Sequence, residues 1–254
     1  MAHFNSGGFD IHFEDSGPGP VNTLVLVHGF ASNAHENWAR TGWVHAIKAK
    51  GLRCVTLDLR GHGQSAKPHD PAAYGSANLA GDVLALLDHL GLEKVDLMGF
   101  SLGAHVALAA AIAAPHRFWT LILGGIGGRM LETRASDDAM ALAMEADTIE
   151  AISDPLLKSF RQFADEQGED RLALAACSRA ARSPLDLEAL EALNVATLVV
   201  AGSRDDLAGD PQGLADKIIG ARAVRLPGCD HFSAIAHGLY KAAVFDFLDG
   251  VLED

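Results

Sequence analysis

Positive charge, cysteine and long apolar runs are all scarce in this chain. Lysine and arginine number 20 against 33 acids, a net charge of −13, and no basic run interrupts the deficit. Nucleic acids and anionic membrane surfaces attract concentrated positive charge, so neither is an expected partner. The 3 cysteines, Cys54, Cys177 and Cys229, are widely spaced and form no C-x-x-C pair. That argues against a disulfide framework and suits a reducing compartment. H-E-x-x-H is missing and the 12 histidines are scattered, so no metal site is expected. The longest helical apolar stretch, after Ser101, stops at Pro115 and is too short to span a bilayer. The opening "MAHFNSGGFDIHFEDSG" has acids where a signal peptide needs an apolar core. The expectation is a cytoplasmic protein, monomeric or homodimeric, that acts on a small molecule.

What is abundant points to a large core. Of 254 residues 49% are hydrophobic and only 21% charged, within reach of one large α/β domain carrying an insertion. Short apolar runs at 23–29, 52–58, 95–100, 119–125, 196–202 and 221–228 read as strands. Most lack polar alternation, as parallel strands covered on both faces do. Helical patterns lie between them at about 36–50, 77–90, 102–114, 212–219 and 235–248. The alternation predicts an α/β fold, a mostly parallel sheet with helices on each side. "FDIHFED" at 9–15 alternates and reads as an antiparallel edge strand. One block breaks the rhythm: the 65 residues 129–193 contain no convincing strand and carry 14 acids against 7 bases. We read it as a helical cap between two parts of a core, 1–128 and 194–254. Two overgrown crossover helices are the alternative.

Ligands in open α/β sheets sit beyond the carboxyl ends of the strands. The segment "VDLMGFSLGAHVAL" changes from strand to helix across one residue, Ser101, flanked by Gly99 and Gly103. G-x-S-x-G is weak as a bare string, but a strand before it and a helix after it make it a nucleophile turn. A serine hydroxyl needs an imidazole to take its proton and a carboxylate to orient that imidazole. "AGSRDD" and "PGCDHF" leave the next two strand ends and supply Asp205 or Asp206, then His231. Asp205, three residues past Gly202, is favoured; the other reading of Asp206 is a surface or capping carboxylate. His231 is preferred over His28, His62, His105 and His237 because Gly228 lets it turn inward. Two donors must face the developing oxyanion. The backbone N–H of Leu102 opens the helix, and that of Phe30 follows the strand ending "LVLVHG".

With these stretches in place, the chain resembles the α/β-hydrolase superfamily, and within it small capped esterases, lactonases and C–C bond hydrolases. "VLVHGF", "LDLRGHGQSAKP", "LMGFSLGAHVAL", "VVAGSRDDLAG" and "LPGCDHFSAI" carry the resemblance. It implies a three-layer α/β/α sandwich on a sheet of about eight strands. It also implies Ser101 as nucleophile, Asp205 as acid, His231 as base, and no cofactor. Ala104 stands where many relatives have a second glycine.

Competing readings fare worse. "GGIGGR" follows a late strand with incomplete G-x-G-x-x-G spacing, and "RGHGQS" lacks the ending of a phosphate loop. Ser101 excludes an aspartate-nucleophile dehalogenase. A cofactor-free haloperoxidase would use the same residues, and a ligand-binding protein that has lost catalysis would be expected to lack one of them. The expected substrate is a small, neutral ester or lactone; cleavage of a C–C bond or enol-lactone from aromatic degradation is the alternative. Phe30, Met130, Met140 and Met144 are candidates for the pocket wall, with packing as the other reading of each. Arginines 129, 134, 161, 171, 179 and 182 could pair locally or reach a substrate carboxylate.

Overall fold

The computed structural model describes residues 2–19, 22–132, 138–180 and 185–250; Arg134 and Arg182 lie outside them. Eight strands form one sheet: β1 (Ala2–Ser6), β2 (Phe9–Asp15), β3 (Thr23–Val27), β4 (Arg53–Leu57), β5 (Val95–Phe100), β6 (Phe118–Gly124), β7 (Ala196–Gly202) and β8 (Arg222–Leu226). They lie in the order β1-β2-β4-β3-β5-β6-β7-β8. Only β1 and β2 run antiparallel to their neighbours; β3 to β8 are parallel.

The period of two in the strands sorts side chains into two cores. Val25, Val27, Leu97, Leu121 and Leu123 face one layer, built from α2 (Ser76–His89), α3 (Leu102–Ala113) and α8 (Pro211–Ala215). Leu24, Leu26, Met98, Ile122 and Leu198 face the other, where Trp43 and Ile47 of α1 (Trp43–Ala49) meet Tyr240, Val244 and Phe247 of α10 (Gly238–Leu248). Both faces of the central strands are therefore dry, which is why their sequences read as unbroken apolar runs.

Two expectations need correcting. The strand at 9–15 is antiparallel but is not the edge, because β1 pairs outside it, Ser6 opposite Phe9. Gly7 and Gly8 close the hairpin with φ of 58° and 90°, the two positive values a tight two-residue turn requires. The helical pattern at 36–50 is broken: a short π-type turn at His35–Ala39 precedes α1, and Gly42 at φ 81° separates them.

Between β6 and β7 the described residues hold α4 (Ala139–Glu145), α5 (Pro155–Gln167), α6 (Arg171–Arg179) and α7 (Leu187–Glu191), and no strand. Asp154, Asp170 and Asp186 each accept first-turn N–H groups at the starts of α5, α6 and α7. Arg161, only 3% exposed, donates to the carbonyls of Ala143 at 2.9 Å and Ala146 at 2.7 Å, closing the end of α4. A small apolar core of Ala141, Met144, Phe160, Ala164, Leu174 and Ala175 also takes in Ala31, from the loop after β3. The insertion thus rests on the carboxyl end of the sheet.

The nucleophile turn depends on missing side chains. A Cβ on Gly103 would lie 2.0 Å from the Val27 carbonyl oxygen, whereas one on Gly81 would meet nothing within 4 Å. Gly103→Ala should destabilise the fold by about 3 kcal/mol or more. Gly81→Ala, inside α2, should stabilise it by about 0.5–1 kcal/mol. Urea unfolding midpoints measure both, and a neutral Gly103→Ala would refute the packing argument.

Candidate active site

Ser101 sits between β5 and α3 with φ 54° and ψ −116°, a conformation L residues avoid. It is held from both sides. Its N–H donates to the Gly124 carbonyl at 2.8 Å, and its own carbonyl accepts from Ala104 and His105. A Cβ on Gly99 would come within 2.1 Å of the Gly103 carbonyl, so the two glycines let strand and helix close around the serine.

His231 opens α9 (His231–Ala234), oriented by a capping box between Asp230 and Ser233. Gly228, at φ 73°, supplies the inward turn. The imidazole Nε2 lies 2.9 Å from Ser101 Oγ, and Nδ1 lies 2.9 Å from Asp205 Oδ2. A carboxylate only accepts, so Nδ1 carries the proton and Nε2 is free to accept from the serine hydroxyl. Asp205 is 4% exposed, and its second oxygen accepts from the N–H groups of Leu207 at 3.1 Å and Ala208 at 3.0 Å. Asp206 is exposed. The carboxylate is fixed before it touches the ring.

The loop after β3 lies against the serine. A Cβ on Gly29 would be 3.4 Å from Ser101 Cβ. Asn37 Oδ1 accepts the Gly29 N–H at 2.7 Å, which fixes the start of the loop. Among the described residues no acceptor takes the N–H of Phe30 or of Leu102. Leu102 is the first residue of its helix, so it has no partner within it. Ala31, with φ 58°, is the second non-glycine residue in left-handed backbone.

Buried polar groups brace this region from below. Asp58 Oδ1 accepts from Ala34 N at 2.8 Å, while Oδ2 takes Gln64 N and His12 Nδ1, each at 2.9 Å. Arg60 makes a buried two-point pair with Asp82, at 2.6 and 2.7 Å. Glu169, between α5 and α6, accepts from Gly63 N at 2.9 Å and from Asn33 Nδ2 at 3.1 Å. Desolvation raises its pKa despite these donors.

A family model described as alpha/beta hydrolase fold matches residues 22–218. The chain belongs to that family. Its backbone resembles the enol-lactonase from Burkholderia xenovorans LB400, with a TM-score of 0.81, 25% identity and 98% and 100% of the two chains covered. Epoxide hydrolase 3 of Siraitia grosvenorii is 35% identical over 121 residues, 46% of this chain and 36% of that protein. A 2-hydroxy-6-oxononadienedioate/2-hydroxy-6-oxononatrienedioate hydrolase of Cupriavidus pinatubonensis is 38% identical over 134 residues, 48% and 43%. The chain matches less than half the length of these two curated relatives.

The structure brings together Ser101, His231, Asp205, Phe30 and Leu102. It does not treat the methionines alike. Met144 has no exposed surface and is packed in the insertion's core, so it cannot line a space that admits even water. That expectation is corrected: Met144 is filler. Met140 packs at the margin of the same cluster, and Met130 against the large core. Aromatic rings stand beside the imidazole, with Phe232 5.8 Å from the His231 ring. Phe160 of α5 lies 6.0 Å from Phe30 and 5.2 Å from Phe232, which follows His231 and is 45% exposed. Phe160, Phe232, Glu169, Asn33 and Asn37 were not identified from sequence. Only Phe232, adjacent to His231, had a signal that could have found it.

His28 and His62 lie fully buried beneath the loop. His28 Nε2 accepts the Leu59 N–H at 2.9 Å and its Nδ1 pairs with the Gly29 carbonyl at 2.8 Å, which fixes the neutral tautomer. Burial lowers its pKa; burial, then the neighbouring His28, brings His62 down to about 3. Between pH 6.5 and 3 the unfolded chain therefore binds the proton that native His62 refuses. This contribution to stability is complete above the upper value and lost as pH falls, by about 2 kcal/mol at pH 5. Urea unfolding at several pH values should show this slope, and His62→Gln should flatten it. An unchanged slope would show that His62 is not the responsible group.

Proposed function

We propose that this chain is a serine hydrolase that cleaves a small neutral carboxylic ester or lactone through an acyl-enzyme. The observation that carries the reading is the continuous hydrogen-bond chain from Ser101 Oγ through His231 to Asp205. Ser101 Oγ attacks the carbonyl carbon as its proton moves to His231 Nε2. Asp205 stabilises the imidazolium and keeps the ring oriented. The N–H groups of Phe30 and Leu102 stabilise the oxyanion. As the tetrahedral species collapses, His231 protonates the leaving alkoxide. It then takes a proton from water, which attacks the ester on Ser101 and restores the serine. No cofactor is needed for any step.

Substrate charge is argued from the arginines. Arg161 and Arg171 engage Asp165 and insertion carbonyls, Arg179 pairs with Glu145, and Arg129 with Glu132. Each described arginine of 129–193 is thus engaged within the insertion, which favours a neutral substrate over the dicarboxylate named for the Cupriavidus hydrolase. The chemistry also disfavours an epoxide. Serine opening an epoxide would form an ether, which general-base attack by water does not cleave, whereas a serine ester is readily hydrolysed. The whole-chain likeness to an enol-lactonase supports a lactone as one form of the ester, with C–C bond cleavage as the second reading. We read 129–193 as a cap over the 1–128 and 194–254 core, with Phe160 of the cap and Phe30 and Phe232 of the core facing the substrate.

Ser101→Ala should fold normally and lose at least ~10³ in kcat. An organophosphonate should leave one adduct, on Ser101, by mass spectrometry. Asp205→Asn should be far more damaging than Asp206→Asn; equal losses would remove Asp205 from the mechanism.

Phe160→Ala should change the kcat/KM ratio between short and long p-nitrophenyl esters by roughly 10-fold, the contribution of one large apolar contact. An unchanged ratio in a folded variant would place the acyl wall elsewhere. Selective turnover of dicarboxylates would overturn the neutral-substrate reading.

A further inference from the structure

The loop carrying the Phe30 N–H is anchored at three points. Gly29 is held by Asn37 and Ala34 by Asp58, both from the core. The third anchor comes from the insertion: Asn33 donates through Nδ2 to Glu169, while its Oδ1 accepts the Glu36 N–H at 2.9 Å. Asn33 is thereby oriented at both ends. Glu169 also accepts the N–H of Gly63, whose loop holds Gln64 on Asp58. One buried carboxylate thus joins the insertion to the two loops that Asp58 joins from beneath. Between the anchors stands Ala31, in left-handed backbone and without exposed surface, its methyl in the apolar core of the insertion. Nothing in an alanine favours that conformation, so its surroundings must impose it.

We propose that Glu169 is a positioning residue: seating of the insertion through Glu169 holds the Gly29–Ala34 loop in the shape that presents the Phe30 N–H to the oxyanion. This rests on the serine-hydrolase reading above. The insertion then does more than shield substrate, because one donor of the oxyanion site is in register only while Glu169 is docked. Without this carboxylate, Asn33 Nδ2 and the Gly63 N–H lose their acceptor and Ala31 can relax. The effect belongs to the charged transition state, not to substrate affinity.

Wild type is first assayed on p-nitrophenyl acetate and labelled with an organophosphonate. Failure of both would sink the serine-hydrolase reading itself. In active protein, Glu169→Ala should lower kcat at least ~10-fold with KM nearly unchanged, since a displaced oxyanion donor weakens transition-state binding. Affinity for phenylboronic acid, which forms an anionic tetrahedral adduct on serine, should fall by a similar factor. Glu169→Gln keeps the volume and one acceptor oxygen; it should recover part of the loss and serves if the alanine variant does not fold. Amide exchange at Ala31–Ala34 should quicken in either variant, a readout independent of activity. Asp154→Ala removes a cap from α5 without touching the loop, and should leave kcat unchanged. Wild-type kcat and boronate affinity in both Glu169 variants would overturn the proposal. So would an equal loss in Asp154→Ala, which would mean that any weakening of the insertion suffices.

Discussion

The contact on which this molecule depends is the near-touching of three backbones around Ser101. The β5–α3 turn, the end of β3 and the end of β6 approach so closely that a methyl group on Gly103 would lie 2.0 Å from the Val27 carbonyl oxygen, while the Ser101 N–H donates to the Gly124 carbonyl at 2.8 Å. Two glycines and an unfavourable serine conformation cost backbone free energy that has no local return. The return is geometric. The serine hydroxyl is lifted out of the sheet, the first N–H of α3 is left without a partner, and the loop after β3 lies against both. The raised hydroxyl and the unpaired donors follow from the same compression.

Orientation is then imposed outward in shells of hydrogen bonds with little freedom. Asp205 is held by two backbone N–H groups, and its remaining oxygen sets the tautomer of His231. Beneath the adjacent loop, His28 is held as a neutral ring by a backbone donor and a backbone acceptor. Buried groups whose partners are all supplied cannot rotate without leaving a donor or acceptor unsatisfied, at about 1–3 kcal/mol each. That makes rotation at the site expensive although no single bond is strong.

Most of the sheet was legible in the sequence because buried parallel strands have no polar face to confuse the pattern. The serine, the histidine and the choice of aspartate were legible for a related reason: each follows a strand end within a few residues, where chain position nearly dictates spatial position. β1 was missed because "AHFNS" is short and half polar, its evidence being the following pair of glycines rather than the strand itself. Phe160, Glu169 and Asn33 were illegible for a different reason. Their roles come from contacts between 129–193 and the core, separated by more than a hundred residues in the case of Asn33 and Glu169. No local pattern encodes such a pairing. Met144 shows the converse error, since a flexible apolar residue in a helical insertion fits a pocket wall and a core equally well until its exposure is known.

The acidity of the insertion looks at first like an obstacle to chemistry that develops negative charge. Half of its 14 acids are used otherwise. Asp154, Asp170 and Asp186 cap helices, Glu132, Glu145 and Asp165 hold arginines, and Glu169 accepts backbone and amide donors. A carboxylate supplied with such partners has its field offset locally, and the ring the insertion sets against both Phe30 and Phe232 is Phe160. The same pairing occupies the described arginines. The partners that satisfy the insertion's named acids are thus also what engage its described arginines, so stability of the insertion and the proposed choice of a neutral acyl group draw on one set of ion pairs.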